Sequence, residues 1–119
     1  MNRREKGILG EKLARSFLKK KGYRIRETNF LCREGEIDIV AEQKDYLVFV
    51  EVRTKMDSNF GSPEESITFA KKEKLVATAL SYLSTHQNIP SLWRIDFVAI
   101  ELDQRGNIIR IELLENVVN

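Results

Sequence analysis

The sequence is poor in the residues that staple a chain or break it. Its single cysteine, Cys32, leaves no internal disulfide to form, and one unpaired thiol suits a reducing cytosol. The two prolines, Pro63 and Pro90, stand near the ends of periodic segments, and no repeat, low-complexity tract or linker interrupts the chain. The longest apolar run, Leu47-Val48-Phe49-Val50, falls far short of the ~20 residues a membrane span needs. The N-terminus, Met1-Asn2-Arg3-Arg4-Glu5-Lys6, is charged and is not followed by the apolar stretch of a secretion signal. Phosphate-loop, dinucleotide and zinc spacings are missing, and Ser16, Ser66 and Ser81 have no His or Asp arranged near them for acyl transfer. A soluble, cytoplasmic protein with no membrane segment is expected, with one domain over residues 1–119 and a core drawn from its 42% hydrophobic content.

What is present is charge, unevenly placed. Twenty basic residues against 18 acidic leave a net charge of only +2. Arg3, Arg4, Lys6, Lys12, Arg15, Lys19, Lys20, Lys21, Arg24 and Arg26 nevertheless crowd the first quarter, and Lys71, Lys72 and Lys74 form a second cluster. Such clustering can attract phosphate at near-neutral total charge, although a lysine run taken alone reads more readily as a solvated helix face.

Hydrophobic periodicity orders the elements. Ile8, Leu9, Leu13, Ala14, Phe17 and Leu18 recur at helical spacing, predicting an amphipathic helix over Lys6 to Lys21 that stops at Gly22. Gly10 falls within the apolar arc, where a missing side chain allows close packing, and Glu11 falls at its edge. Strands are expected at Tyr23 to Leu31, Glu36 to Glu42 and Tyr46 to Thr54, joined by connections short enough for an antiparallel meander. The third, apolar on both faces, is expected to be central and covered on both sides. Ser62-Pro63-Glu64-Glu65 has the shape of a helix start and Thr68 offers a second; the helix carrying Phe69, Leu75, Val76, Ala79, Leu80 and Leu83 runs to about Thr85. Leu92 to Leu102 and Ile108 to Leu114 complete the order α-β-β-β-α-β-β, an α/β fold with a five-stranded mixed sheet flanked by helices.

Strand alternation then sorts the charged side chains. Glu36 and Asp38 are expected on one face of the second strand, opposite Ile37 and Ile39, and Glu51, Arg53 and Lys55 share a face of the third. Charges at the end of so apolar a strand are costly unless paired or bound to metal. In an antiparallel hairpin Asp38 and Glu51 come close, and a hard divalent cation, Mg²⁺ or Mn²⁺, would resolve their repulsion. Spacing alone leaves a second arrangement open, in which both carboxylates pair with Arg53 and Lys55 in a structural ion network. His86, at a helix end, reads as a cap for carbonyls; Trp93, Tyr46 and Phe97 read as core, and Arg94 and Asp96 as a pair on one strand face.

Gly10-Glu11-x-x-Ala14, Lys21-Gly22-Tyr23, Asn29-Phe30, Arg33-x-Gly35-Glu36-Ile37-Asp38-Ile39-Val40 and Val48-Phe49-Val50-Glu51-Val52-Arg53-Thr54-Lys55, in that order, closely resemble the YraN family of bacterial predicted endonuclease-like proteins. So do Phe60-Gly61-Ser62-Pro63-Glu64-Glu65-Ser66, Thr68-x-x-Lys71-x-x-Lys74-Leu75 and Arg94-Ile95-Asp96-Phe97-Val98. The resemblance implies a restriction-endonuclease-like domain, similar to archaeal Holliday junction resolvases. It implies a site in which Asp38 and Glu51 bind Mg²⁺ or Mn²⁺, with Glu11 contributing from the first helix. Arg53 stands where that superfamily carries lysine; arginine keeps its proton, so it would act by charge, with Lys55 as the alternative. The implied activity is metal-dependent cleavage of DNA, structure-selective because no base-reading motif is visible, with Lys71, Lys74 and Arg15 of the basic first helix holding the backbone. A homodimer would fit a substrate with two scissile strands. The rival readings are a binding module that holds nucleic acid or a protein without cutting, and a nuclease directed at RNA.

Overall fold

The computed structural model describes residues 1–56 and 61–118; Phe60, at the head of the Phe60-Gly61-Ser62 segment, lies outside them. Helix α1, Arg3–Lys20, begins earlier than its apolar period suggests. The cause is a capping box at Asn2: its side chain accepts from the Glu5 N–H at 2.8 Å, and the Glu5 carboxylate accepts from the Asn2 N–H at 3.2 Å. The helix ends as expected at Gly22, whose φ of +91° reverses the chain and lets the Tyr23 N–H reach the Leu18 carbonyl at 3.0 Å.

Strands β1 (Arg24–Cys32), β2 (Gly35–Gln43) and β3 (Tyr46–Lys55) form the antiparallel meander. A short 3-10 turn, Pro63–Ser66, and helix α2, Phe69–Thr85, carry the chain across to β4 (Leu92–Leu102), which runs parallel to β3; β5 (Ile108–Leu114) returns antiparallel. Both candidate helix starts are therefore used. Ser62 opens the 3-10 turn without a side-chain cap, and Thr68 caps α2 by accepting from the Lys71 N–H at 3.2 Å. A parallel β3–β4 pair needs such a crossover.

The sheet order β1-β2-β3-β4-β5 puts β3 in the centre, as its two-sided apolar pattern requires. On one face Ile39, Ala41, Val48, Val50, Val98 and Ile100 pack against Ala14 and Leu18 of α1. On the other, Ile37, Val40, Leu47, Phe49 and Ile95 pack against Leu75, Ala79 and Tyr82 of α2. Burying each of the valine, leucine, isoleucine and phenylalanine side chains among them contributes roughly 1.5–3 kcal/mol. Gly10 is where α1 lies tightest on the sheet: a Cβ there would meet Thr54 Oγ1 at 2.0 Å. Arg110 of β5 binds Glu64 of the 3-10 turn at 2.8 Å and also pairs with Glu101 and Glu112, and it holds the Glu64 carboxyl below the usual carboxylate range. The last strand thereby anchors the crossover.

Strict alternation fails within β2. Ile37 packs on the α2 side and Ile39 on the α1 side, so β2 turns over at Asp38. Beside it on β1, between the pairs Thr28↔Ile39 and Phe30↔Ile37, Asn29 takes φ +54°, a left-handed conformation that asparagine tolerates better than most residues. The expectation that Ile37 and Ile39 share a face is corrected by this kink.

Candidate active site

The kink opens a fork. The β2–β3 ladder runs from Gln43↔Tyr46 to Ile39↔Val50 and stops there. One more rung would set Asp38 opposite Glu51. Instead β2 turns away, while β3 continues beside β4 to the Lys55↔Glu101 pair. The resulting open cleft, about 1140 Å³, is walled by the first half of α1 on one side and the start of α2 on the other.

At its base the Asp38 Oδ2 accepts from the Val52 N–H at 2.8 Å, the backbone donor freed where the ladder ends. Its carboxyl also stands within hydrogen-bonding range of Glu51. Burial, then the adjoining Glu51 charge, pushes the Asp38 carboxyl up to about 7; the Val52 N–H and Arg53 offset this only in part. Glu51 is in turn held by Arg53, Nη2 to Oε2 at 3.1 Å. The Arg53 Nε is buried and has no hydrogen-bond partner among the described residues.

Glu11 lines the same cleft but is engaged elsewhere, accepting from Arg15 Nη1 and from Asn29 Nδ2, each at 3.0 Å. Among the described residues no group of three carboxylate, histidine or cysteine side chains is close enough to hold an ion. The structure thus brings Asp38, Glu51 and Arg53 together and sets Glu11 and Arg15 on the cleft wall. Lys55, Lys71 and Lys74 also line it, with Arg3, Arg4, Lys6 and Lys12. The Lys71 ammonium is held below the usual lysine range by burial and by the neighbouring Arg53, against the pull of Glu51 and Asp38.

Two cleft residues escape the sequence reading as members of the site. Glu36 is raised above the usual carboxylate range by burial and by the charges of Asp38 and Glu11. Asn29 links the β1 kink to Glu11. The one signal for Asn29 is an asparagine inside a strand. Away from the cleft, the bland readings hold. Arg94 bonds the fully buried Asp96 at 3.0 Å, and Asp96 also accepts from the Tyr23 hydroxyl at 2.9 Å and the Asn116 N–H at 2.9 Å. His86 caps α2, its Nδ1 2.9 Å from the Tyr82 carbonyl oxygen and its ring stacked on Tyr82.

A family model described as "Uncharacterised protein family UPF0102" matches residues 10–100, a span that includes Glu11, Asp38, Glu51, Arg53 and Lys71. A UPF0102 protein of Dehalococcoides mccartyi is 48% identical over 98% of this chain and 95% of its own length. One of Caldicellulosiruptor bescii is 41% identical over 98% of both chains, and one of Caldanaerobacter subterraneus subsp. tengcongensis 37% identical over 100% of this chain and 96% of its own.

Proposed function

The chain belongs to the uncharacterised protein family UPF0102, and from its cleft we propose that it is a metal-dependent phosphodiesterase acting on DNA, selective for structure more than for sequence. The observation that carries this reading is the Asp38–Glu51 pair: two carboxylates forced together at the floor of a cleft rimmed by basic side chains. Such a pair fits a hard divalent ion. Mg²⁺ is commonly held by one or two carboxylates, with waters and substrate phosphates filling its remaining positions, so two ligands suffice and Glu11 would contribute through water. When bound, Mg²⁺ or Mn²⁺ supplies a Lewis acid that polarises a phosphate oxygen and lowers the pKa of bound water.

The chain's own residues do the rest. Arg53 keeps its proton, and its partly exposed guanidinium, already on Glu51, offsets the charge that develops on a phosphate oxygen. Lys74, Arg15 and the α1 cations hold the flanking backbone. An open cleft with no base-reading element suits recognition by shape, and a homodimer would present two such clefts to a branched substrate.

One observation favours a second reading. The Arg53–Glu51 ion pair occupies an oxygen that a metal would use, which suits a module that binds nucleic acid without cutting it. The discriminating experiment incubates purified protein with linear, flapped and four-way DNA and with structured RNA, in Mg²⁺ or Mn²⁺. Cleavage of branched DNA that Glu51→Ala abolishes supports the phosphodiesterase. Binding without cleavage under every metal makes it a binding module, and preference for RNA moves the substrate.

A further inference from the structure

Three cations border the carboxylate pair, and they are not equivalent. Arg53 is already bound to Glu51. Lys55 lies four residues beyond Glu51 on the same strand, ~13 Å further along at the rise of a β-strand, toward the mouth of the cleft. Lys71 comes from the opposite wall. Its backbone N–H is fixed by Thr68 Oγ1, and it lines a small recess together with Glu51, Ser66 and Phe97. The charges that act on it there are Arg53, Glu51 and Asp38. Among the described residues its ammonium makes no ion pair.

The placement also breaks a local rule. Helix starts favour acids, and α1 complies with Glu5. The first turn of α2 has no acidic residue, and Lys71 occupies the position from which a glutamate would complete a capping box with Thr68. A cation opposed to the dipole of its own helix gains no stability from that helix; local rules are broken in this way at functional sites.

We infer that Lys71 is a catalytic residue, its ammonium contacting the scissile phosphate beside Asp38 and Glu51 and not a distant stretch of backbone. This rests on the phosphodiesterase reading and deepens it. Lys71 keeps its proton throughout. Water adds its oxygen to phosphorus, the bond from phosphorus to the departing sugar oxygen breaks, and the water's proton ends on that oxygen. Lys71 donates a hydrogen bond to a non-bridging oxygen while charge accumulates there.

The test separates cleavage from binding. Single-turnover rates in Mn²⁺ and dissociation constants in EDTA are measured for wild type, Glu51→Ala, Lys71→Ala, Lys71→Gln, Lys71→Arg and the double variant Lys71→Ala with Arg53→Lys. Lys71→Ala and Lys71→Gln are expected to slow cleavage by roughly 10²-fold or more. Their affinity should fall only by the few-fold due to about one lost phosphate contact. Lys71→Arg should recover part of the rate. So should the double variant, because a lysine at position 53 offers an ammonium from the strand. A Lys71→Ala protein that binds weakly yet cleaves bound DNA at the wild-type rate overturns the inference and leaves the phosphodiesterase standing. A wild type that binds but never cleaves overturns both.

Discussion

Replacing Asp38 by asparagine should make the metal-free protein more stable at pH 8. Asp38 is raised from its ordinary 3.8 to about 7 by burial and by Glu51. Between those values the native state binds more protons than the unfolded chain, so stability falls as pH rises: the contribution is full below about 4 and lost above about 7. At ~1.4 kcal/mol per pH unit, the gap sets a ceiling of ~4 kcal/mol. Side-chain relaxation and water entry soften the ionised state, so about half, ~2 kcal/mol, is expected. For a chain of this size that is a rise in Tm of ~8 °C. The amide oxygen introduced by Asp38→Asn can still accept from the Val52 N–H, which keeps the kink intact. The assay is thermal unfolding of both proteins in EDTA across pH 4 to 8, repeated at pH 8 with saturating Mn²⁺. The advantage of Asp38→Asn should vanish near pH 4, and Mn²⁺ should raise the Tm of wild type alone. An advantage independent of pH, or none at pH 8, would refute the claim that carboxylate repulsion strains this fork.

Arg53→Lys should retain or raise cleavage and Arg53→Ala should lower kcat by roughly 10²-fold, measured at saturating DNA; a harmless Arg53→Ala would remove the guanidinium from the reaction. Nucleic-acid affinity should decline steeply between low and physiological salt, and Lys74→Glu should weaken binding to unrelated sequences alike, read by fluorescence anisotropy; salt-insensitive binding would contradict an electrostatic cleft. Gly10→Ala should destabilise by ~1–3 kcal/mol in urea titrations, because its Cβ would collide with Thr54, and Thr54→Ala should recover part of that loss. Lys71→Gln should leave Tm unchanged or slightly higher, since it completes the capping box and removes a cation from the α2 start.

Most of the fold is legible in the sequence because its signals are local. Periodicity locates both helices and all five strands, and the two-sided apolar run at Leu47 to Val50 places β3 at the centre. Gly10 reads as a close-packing position and is one. The start of α1 is missed because Asn2 and Glu5, although they spell a capping box, precede the apolar stripe that periodicity counts. The closeness of Asp38 to Glu51 follows from hairpin arithmetic, while its cause does not. A two-residue period assumes an unbroken ladder, and nothing in Glu36-Ile37-Asp38-Ile39 announces that Asn29, on another strand, reverses the faces between Ile37 and Ile39. For the same reason Lys71 reads as one lysine of a solvated cluster. Its place on the cleft wall is set by how α2 seats on Ile37, Val40 and Phe49, a long-range fact that no window of sequence contains.

The grip of Arg110 on Glu64 bears on when the cleft becomes complete. On the ribosome the meander β1–β3 emerges first and pairs through neighbouring segments, so Asp38 and Glu51 can meet early. The wall that faces them arrives with α2, and the crossover leading into α2, already packed on β3 and β4, gains its ion-pair anchor when β5 brings Arg110 to Glu64. Any product that stops short of that strand would carry the carboxylates without an anchored Lys71. In a chain of this topology the floor of the cleft can therefore form from neighbouring strands, while its facing wall is braced by the strand furthest away in sequence.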